Sequence, residues 1–396
     1  MLNNGQEKIK REAVDWFRNS SEQLFQIEGP AGSGKTFLIY EILKELNLNP
    51  NQYMPMAYTG QASIVMRTRG FLTARSIHSS LYEIIEVPIE ESRLSNSFNL
   101  PKKKKEFRLR QFIDPDICLL FIDEAFMVPK HMVKDIMSFG IKVLVCGDSN
   151  QLPPIGDDPG FLVEGNVHRL TELMRQSENS AIIYIAQRAL RNLPIHCGIY
   201  GNEVMVITDD EITPDMLLYS DCICCGTNKT RESLNNTIRD LRGYSNFQLP
   251  TVGERLICRQ NNWQLSIQGI ALANGLCGTV ISPSEICSYD GKIFNINFKP
   301  DLIDDCFLGL PINKEYFFSS YERKQEIKQM NKDWIKGELF EYAYALTTHL
   351  CQGSEYLNGI YYEEFLRPQL QIALNYTGIT RFKNKLIYIK KKRKYF

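Results

Sequence analysis

Short apolar runs punctuate the first part of the chain: Leu24-Phe25-Gln26-Ile27, Met54 to Tyr58, Ile117-Cys118-Leu119-Leu120-Phe121-Ile122 and Val143-Leu144-Val145-Cys146. Runs apolar at nearly every position predict strands covered on both faces, as in a parallel sheet. Between them the period lengthens. Gln6 to Phe17 is apolar at Ile9, Ala13, Val14, Trp16 and Phe17, and Phe37 to Leu46 follows the same helical spacing. The alternation predicts an α/β unit. A second begins with a strand at Ser220 to Cys225 and a helix at Lys229 to Leu241. It continues with strands at Gly253 to Arg259, Gly278 to Ile281, Tyr342 to Leu346, Gly359 to Tyr362 and Lys385 to Ile389, and a helix at Gln369 to Tyr376. Two stretches break the rhythm. Tyr82 to Ile113 is polar and reads as an inserted hairpin. From Ser282 to about Lys336, short alternating segments such as Lys292-Ile293-Phe294-Asn295-Ile296-Asn297-Phe298 suit a small inserted β-barrel.

Composition narrows the class only a little. With 396 residues, 43% hydrophobic and 23% charged, the chain is an ordinary globular protein of two or three domains. No apolar run is long enough to span a bilayer, and the N-terminus lacks the order of a signal peptide, so an intracellular, cytoplasmic protein is expected. Most of the 11 cysteines lie in apolar runs, and Cys222-Ile223-Cys224-Cys225 lacks the second pair that a zinc site requires. Net charge is zero, yet Lys102 to Lys105, Arg108 and Arg110 form one basic block and Lys390 to Lys394 a second. The tail block reads as a solvated charge run, with a targeting signal as the weaker reading.

Chemistry enters at Gly29-Pro30-Ala31-Gly32-Ser33-Gly34-Lys35-Thr36. The pattern G-x-x-x-x-G-K-T between a strand and a helix is a phosphate-binding loop. Its glycines let successive N–H groups point into one hollow at a helix N-terminus. Lys35 can reach the terminal phosphates and Thr36 can bind Mg²⁺. The strand at Ile117 to Ile122 ends in Asp123-Glu124-Ala125, where open α/β sheets bind ligands. Asp123 can hold Mg²⁺ and Glu124 can orient or deprotonate a water. The next strand runs into Gly147-Asp148-Ser149-Asn150-Gln151-Leu152-Pro153-Pro154, where the Gln151 amide can report nucleotide state. Arg175 and Arg381 are either ordinary helix-end charges or planar donors to a γ-phosphate. Small polar clusters at Thr59-Gly60-Gln61-Ala62-Ser63 and Ser76-Ile77-His78-Ser79 can hold a nucleic-acid backbone phosphate.

In this order, the motifs resemble those of superfamily-one helicases of the 5′-to-3′ branch, most similarly the compact phage Dda and bacterial RecD-type enzymes. The resemblance runs from Gln6 to Ile389. Gln6 matches the adenine-reading glutamine, Gly29 to Thr36 motif I, Thr59 to Ala62 motif Ia, and Asp123 to Ala125 motif II. Gly147 to Pro154 matches motif III, Leu170 to Arg175 motif IV, Ala345 to Glu355 motif V and Tyr376 to Arg381 motif VI. Phe126, Leu350-Cys351 and Gly378 depart from the usual residues. The family implies two RecA-like parallel-sheet domains in tandem: one of residues 1–80 and 113–165, the other of 166–281 and 338–396. It places a wedge hairpin at 81–112 and an SH3-like β subdomain at 282–337. It implies ATP and Mg²⁺ in the cleft, with Lys35, Asp123, Glu124, Gln151, Arg175 and Arg381 catalytic, and Gln6, Gly29 to Thr36, Gly353 and Glu355 holding nucleotide. Thr59, Gly60, Ser63, His78, Thr347 and His349 would meet DNA. The expected partners are single-stranded DNA, single–double-strand junctions and a single-strand-binding or replisome protein, with the chain a monomer. The expected function is ATP-dependent DNA unwinding, 5′ to 3′, in replication, repair or recombination. The alternative is a nucleic-acid-stimulated translocase that remodels protein–DNA complexes or acts on RNA. A non-catalytic nucleotide-binding module and a kinase fit the complete motif set less well.

Overall fold

A computed structural model describes residues 2–88, 103–172, 179–287, 290–330, 335–366 and 368–391. Two parallel sheets organise it. In the first, six strands run in the order Arg75–Ser76, Tyr53–Ala57, Leu119–Asp123, Lys142–Gly147, Leu24–Glu28, Val167–Arg169, all parallel. Every residue of Leu119–Asp123 is buried, which is why its sequence is apolar without alternation. Helices Asn4–Asn19 and Lys35–Glu45 cover one face through Ile9, Ala13, Leu38 and Ile42. Helix Lys130–Met137 covers the other with Met132 and Ile136. The first helix opens with a capping box in which Asn3 and Gln6 exchange side-chain and backbone bonds.

The second sheet has the order Ala345–Thr347, Cys222–Cys225, Tyr356–Tyr362, Phe382–Lys390, Val204–Thr208, Gly198–Tyr200, with only the last strand antiparallel. Cys222–Cys225, second from one edge, is wholly buried. These are the two RecA-like domains expected from the motifs. The edge strands Val167–Arg169 and Gly198–Tyr200, which have little apolar signal, and the inner strand Val204–Thr208 were not anticipated.

A third, antiparallel sheet corrects the strand assignment. It contains Ile293–Pro300, whose alternate residues Phe294, Ile296 and Phe298 are buried, as the period-2 pattern predicts. It also takes in Arg255–Cys258, Cys277–Val280 and Phe340–Tyr342, which the sequence had assigned to the second α/β unit. A short apolar run shows that a strand is buried but not which sheet buries it. The expected strand Tyr342 to Leu346 is divided accordingly: Phe340–Tyr342 pairs in the antiparallel sheet and Ala345–Thr347 in the parallel one. Asn262–Ile267 and Ile270–Leu272 form a further hairpin that the pattern did not reveal, turning at Gln268-Gly269 with φ of 47° and 72°.

Within the stretch Tyr82 to Ile113, Tyr82–Pro88 pairs antiparallel with Lys103–Leu109. The Tyr82 hydroxyl donates to Asp135 at 2.6 Å and ties the hairpin base to the first domain. Among the described residues, no helix is long and apolar enough to cross a membrane.

The antiparallel sheet is joined to the second domain by buried charge. Glu341 accepts from Arg231 and from the Tyr316 hydroxyl at 2.6 Å, with Arg259 at 3.4 Å. Burial alone would raise its carboxyl, but Arg259, Arg231 and Lys324 outweigh that and hold the pKa at about 2. A folded-state pKa below the unfolded value means that this contribution is complete at neutral pH and is lost as pH falls toward 2. Glu341→Gln strands the two buried guanidinium groups and should cost about 3 kcal/mol, read as a lower denaturant midpoint. An unchanged midpoint would show that the cluster does not hold the junction.

Candidate nucleotide site between two RecA-like domains

The phosphate loop leaves the first sheet at Glu28 and enters helix Lys35–Glu45. Gly34 caps that helix at φ 75° with no side-chain bond to the first turn, so the helix N–H groups are left for a ligand. The left-handed backbone there suits glycine. The Lys35 ammonium donates to the carbonyls of Gly29 at 2.6 Å and Pro30 at 3.2 Å. Ser33 is fully buried, and its carbonyl accepts from the Gln6 amide at 2.9 Å. The other end of the Gln6 amide accepts from the Asn3 N–H. Gln6 therefore braces the loop from behind.

A cavity of about 940 Å³ opens beside the loop. Domain one lines it with Ala31, Gly32, Gly34, Lys35, Thr36, Asp123, Glu124 and Gln151; domain two contributes Gly353, Glu355 and Arg381. Gly29 and Pro30 line a smaller cavity behind the loop. Arg175 lies outside the described residues.

Glu124 sits just past the strand end with φ 51°, an uncommon backbone for a non-glycine residue. Its backbone N–H donates to Asp123 at 2.9 Å. Burial pushes its carboxyl up, Arg381 and Lys35 pull it down, Asp123 pushes it up again, and the net shift is upward. The Gln151 amide donates to Glu124 at 3.4 Å and accepts from Arg381 at 3.3 Å. Arg381 is itself buried, fixed by its Nε on the Thr377 carbonyl at 3.0 Å. One continuous polar line thus joins motif II, motif III and motif VI across the domain boundary.

Sequence reasoning missed several further links. Tyr376 of domain two donates its hydroxyl to Asp148 at 2.5 Å and accepts the Ala31 N–H of the phosphate loop at 2.9 Å. The Leu152 N–H donates to Thr377 at 3.0 Å, and the Gln352 amide to the Leu152 carbonyl at 2.8 Å. Gly353, at φ 75°, lies so close to domain one that a Cβ would stand 2.6 Å from that of Ala62. Arg69 was also missed. Its guanidinium lines the cavity and donates to Thr36 Oγ1 at 2.8 Å. Gly70, at φ 100°, was a legible helix stop after it, but nothing along the chain says where Arg69 points.

The strand-contact candidates lie at the ends of both sheets. Thr59 Oγ1 caps helix Gly60–Thr68 by accepting the Ala62 N–H, and buried Ser63 gives its hydroxyl to the Gly60 carbonyl. Gly60 and Ser63 line a small groove with Arg75, Ser76, Ser79 and Trp263. His78 is half-buried among rings, 5.5 Å from Tyr82, 5.8 Å from Phe107 and 6.0 Å from Trp263 between centroids. Thr347 is buried at a strand end of the second sheet, and His349 is half-buried on the short helix after it.

Residues 1–193 match the family model of an AAA domain. The ATP-dependent DNA helicase Pif1 of Bdellovibrio bacteriovorus is 31% identical over 157 residues, covering 36% of this chain and 31% of that protein. The ATP-dependent RecD2 DNA helicase of Deinococcus radiodurans is 26% identical over 278 residues, covering 67% of this chain and 35% of that protein. In sequence the chain is thus similar to helicases of the Pif1 and RecD type. The matches span only about a third of those two relatives' length. A crystal structure of Bacteroides Pif1 bound to single-stranded DNA superposes with a TM-score of 0.55 at 17% identity, covering 98% of this chain and 92% of that one; it shares the fold.

The raised Glu124 carboxyl gives a pH test. With Glu124 as general base, which requires it ionised, ATP turnover should fall on the acid side with an apparent pKa above the ordinary glutamate value of 4.5. A limb at or below 4.5 would remove Glu124 from the base role.

Proposed function

We propose that the chain is an ATP-driven motor that tracks along single-stranded DNA and unwinds duplex DNA, 5′ to 3′ as its family resemblance implies. The observation that carries this reading is the line Glu124–Gln151–Arg381, which brings a carboxylate, an amide and an arginine from two RecA-like domains to one cavity. ATP would lie with its phosphates on the loop amides and Lys35. Thr36 and Asp123 offer hard oxygen donors at the cavity wall and fit Mg²⁺, which when bound supplies charge neutralisation for the phosphates. Glu124 takes the proton of the attacking water, and Gln151 orients it. Arg381, and Arg175 from the motif match, offer planar donors to the γ-phosphate. Loss of that phosphate weakens the hold of domain two on domain one, and the cleft opens.

DNA would run across both domains, past Thr59, Gly60, Ser63 and His78 on one and Thr347 and His349 on the other, held by phosphate contacts and stacking. Opening and closing would then shift one grip relative to the other. The hairpin Tyr82–Pro88/Lys103–Leu109 is the wedge in this reading, and the antiparallel sheet is its support. A single chain holds both walls of the cleft, so a monomer is sufficient.

Strand displacement on duplexes with only a 5′ or only a 3′ single-stranded tail tests the reading. Unwinding is expected from the 5′ tail. Lys35→Ala should lower turnover by about two orders of magnitude or more while the fold persists. Displacement from the 3′ tail alone would reverse the polarity, and wild-type turnover by Lys35→Ala would refute the site. Replacing residues 82–113 by a short linker should abolish unwinding and spare hydrolysis; equal unwinding would favour a translocase without a wedge.

A further inference from the structure

Arg69 follows helix Gly60–Thr68, and its guanidinium lies inside the nucleotide cavity. Nη1 donates to Thr36 Oγ1 at 2.8 Å and stands 3.7 Å from Asp123 Oδ2. Nη2 is paired with Glu355 Oε1. Thr36 and Asp123 belong to domain one and are the oxygen donors suited to Mg²⁺. Glu355 belongs to domain two, where Lys383 also holds it at 2.5 Å. A single guanidinium therefore spans the cleft through the donors that a divalent cation would use.

We propose that Arg69 is a cationic latch, which pins the Thr36–Asp123 pair to Glu355 of the facing domain and must be displaced before Mg²⁺ and nucleotide can load. The proposal rests on the nucleotide-site reading given above. Mg²⁺ binds oxygen at about 2.0–2.1 Å in near-octahedral geometry, so a cation seated on Thr36 Oγ1 and Asp123 would stand against a guanidinium that is hydrogen-bonded to the first and ion-paired with the second. Arginine does not shed its charge to relieve the repulsion; it has to move. The surroundings permit that. The Arg69 side chain is 33% exposed, and Gly70 beside it has φ 100° with open space where a Cβ would stand. Glu355 remains available to the displaced guanidinium.

The latch also has a direction of action. Arg69 ends the helix that begins at Thr59, a strand-contact candidate, and Ala62 of that helix packs against Gly353 of domain two. Displacement at one end of a nine-residue helix is therefore felt at the other.

The test is a Mg²⁺ titration of the full chain with fluorescent N-methylanthraniloyl-ADP, comparing wild type with Arg69→Ala and Arg69→Gln. Arg69→Gln keeps a polar stem as a second, milder change, and thermal midpoints verify that both variants fold. In both variants the half-saturating Mg²⁺ concentration should fall about three- to tenfold, the range expected for losing one partly exposed charge-assisted pair. Nucleotide affinity at saturating Mg²⁺ should be retained or tightened. An unmoved or higher Mg²⁺ midpoint overturns the latch, as does weaker affinity at saturating Mg²⁺, which would make Arg69 a phosphate ligand. No Mg²⁺-dependent binding by wild type would instead refute the nucleotide site, and the latch with it.

Discussion

The apposition of the two parallel-sheet domains depends on a short line of polar contacts between them. Glu124 and Gln151 sit at the ends of neighbouring strands of the first sheet, and Arg381 precedes a strand of the second. Burial makes each contact costly to leave unpartnered, so the line favours one apposition of the domains. Tyr376 reinforces it by bonding both the Ala31 N–H and Asp148. The phosphate loop is thus hydrogen-bonded directly to domain two.

The strain and the charge at this boundary belong together. Glu124 holds a left-handed backbone and a carboxyl pushed up by burial, two features costly in an ordinary loop. They place an ionisable oxygen on the cavity wall beside Lys35 and within reach of Arg381. Four cationic side chains, Lys35, Arg69, Arg381 and Lys383, line the same cavity with Asp123, Glu124 and Glu355. That mixture suits a polyanionic ligand accompanied by a divalent cation: Lys35 and Arg381 offer donors to phosphates, and the acids offer oxygens to a metal.

Much of this was legible in the chain. The central strands show as unbroken apolar runs because both their faces are covered, and Leu119–Asp123 falls close to the expected bounds. The phosphate loop and the Asp123-Glu124 pair are legible because their chemistry depends on local spacing. Arg69, Tyr376 and Thr377 were not, since their importance comes from partners on the other domain. The antiparallel sheet recruits Arg255–Cys258 and Phe340–Tyr342 from flanking sequence for a similar reason. Three apolar residues in Arg255–Cys258 announce burial without naming the neighbour. Arg175 lies outside the described residues, so its motif match stands on sequence.

In the proposed motor, a cleft hydrolysing ATP is coupled to a nucleic-acid strand lying across both domains. The most direct measurement is steady-state ATP turnover of the purified chain with and without an unstructured single-stranded oligonucleotide. The account predicts marked stimulation by the strand, weakening as salt rises because phosphate contacts carry the binding. Turnover indifferent to single-stranded DNA at every salt concentration would contradict it.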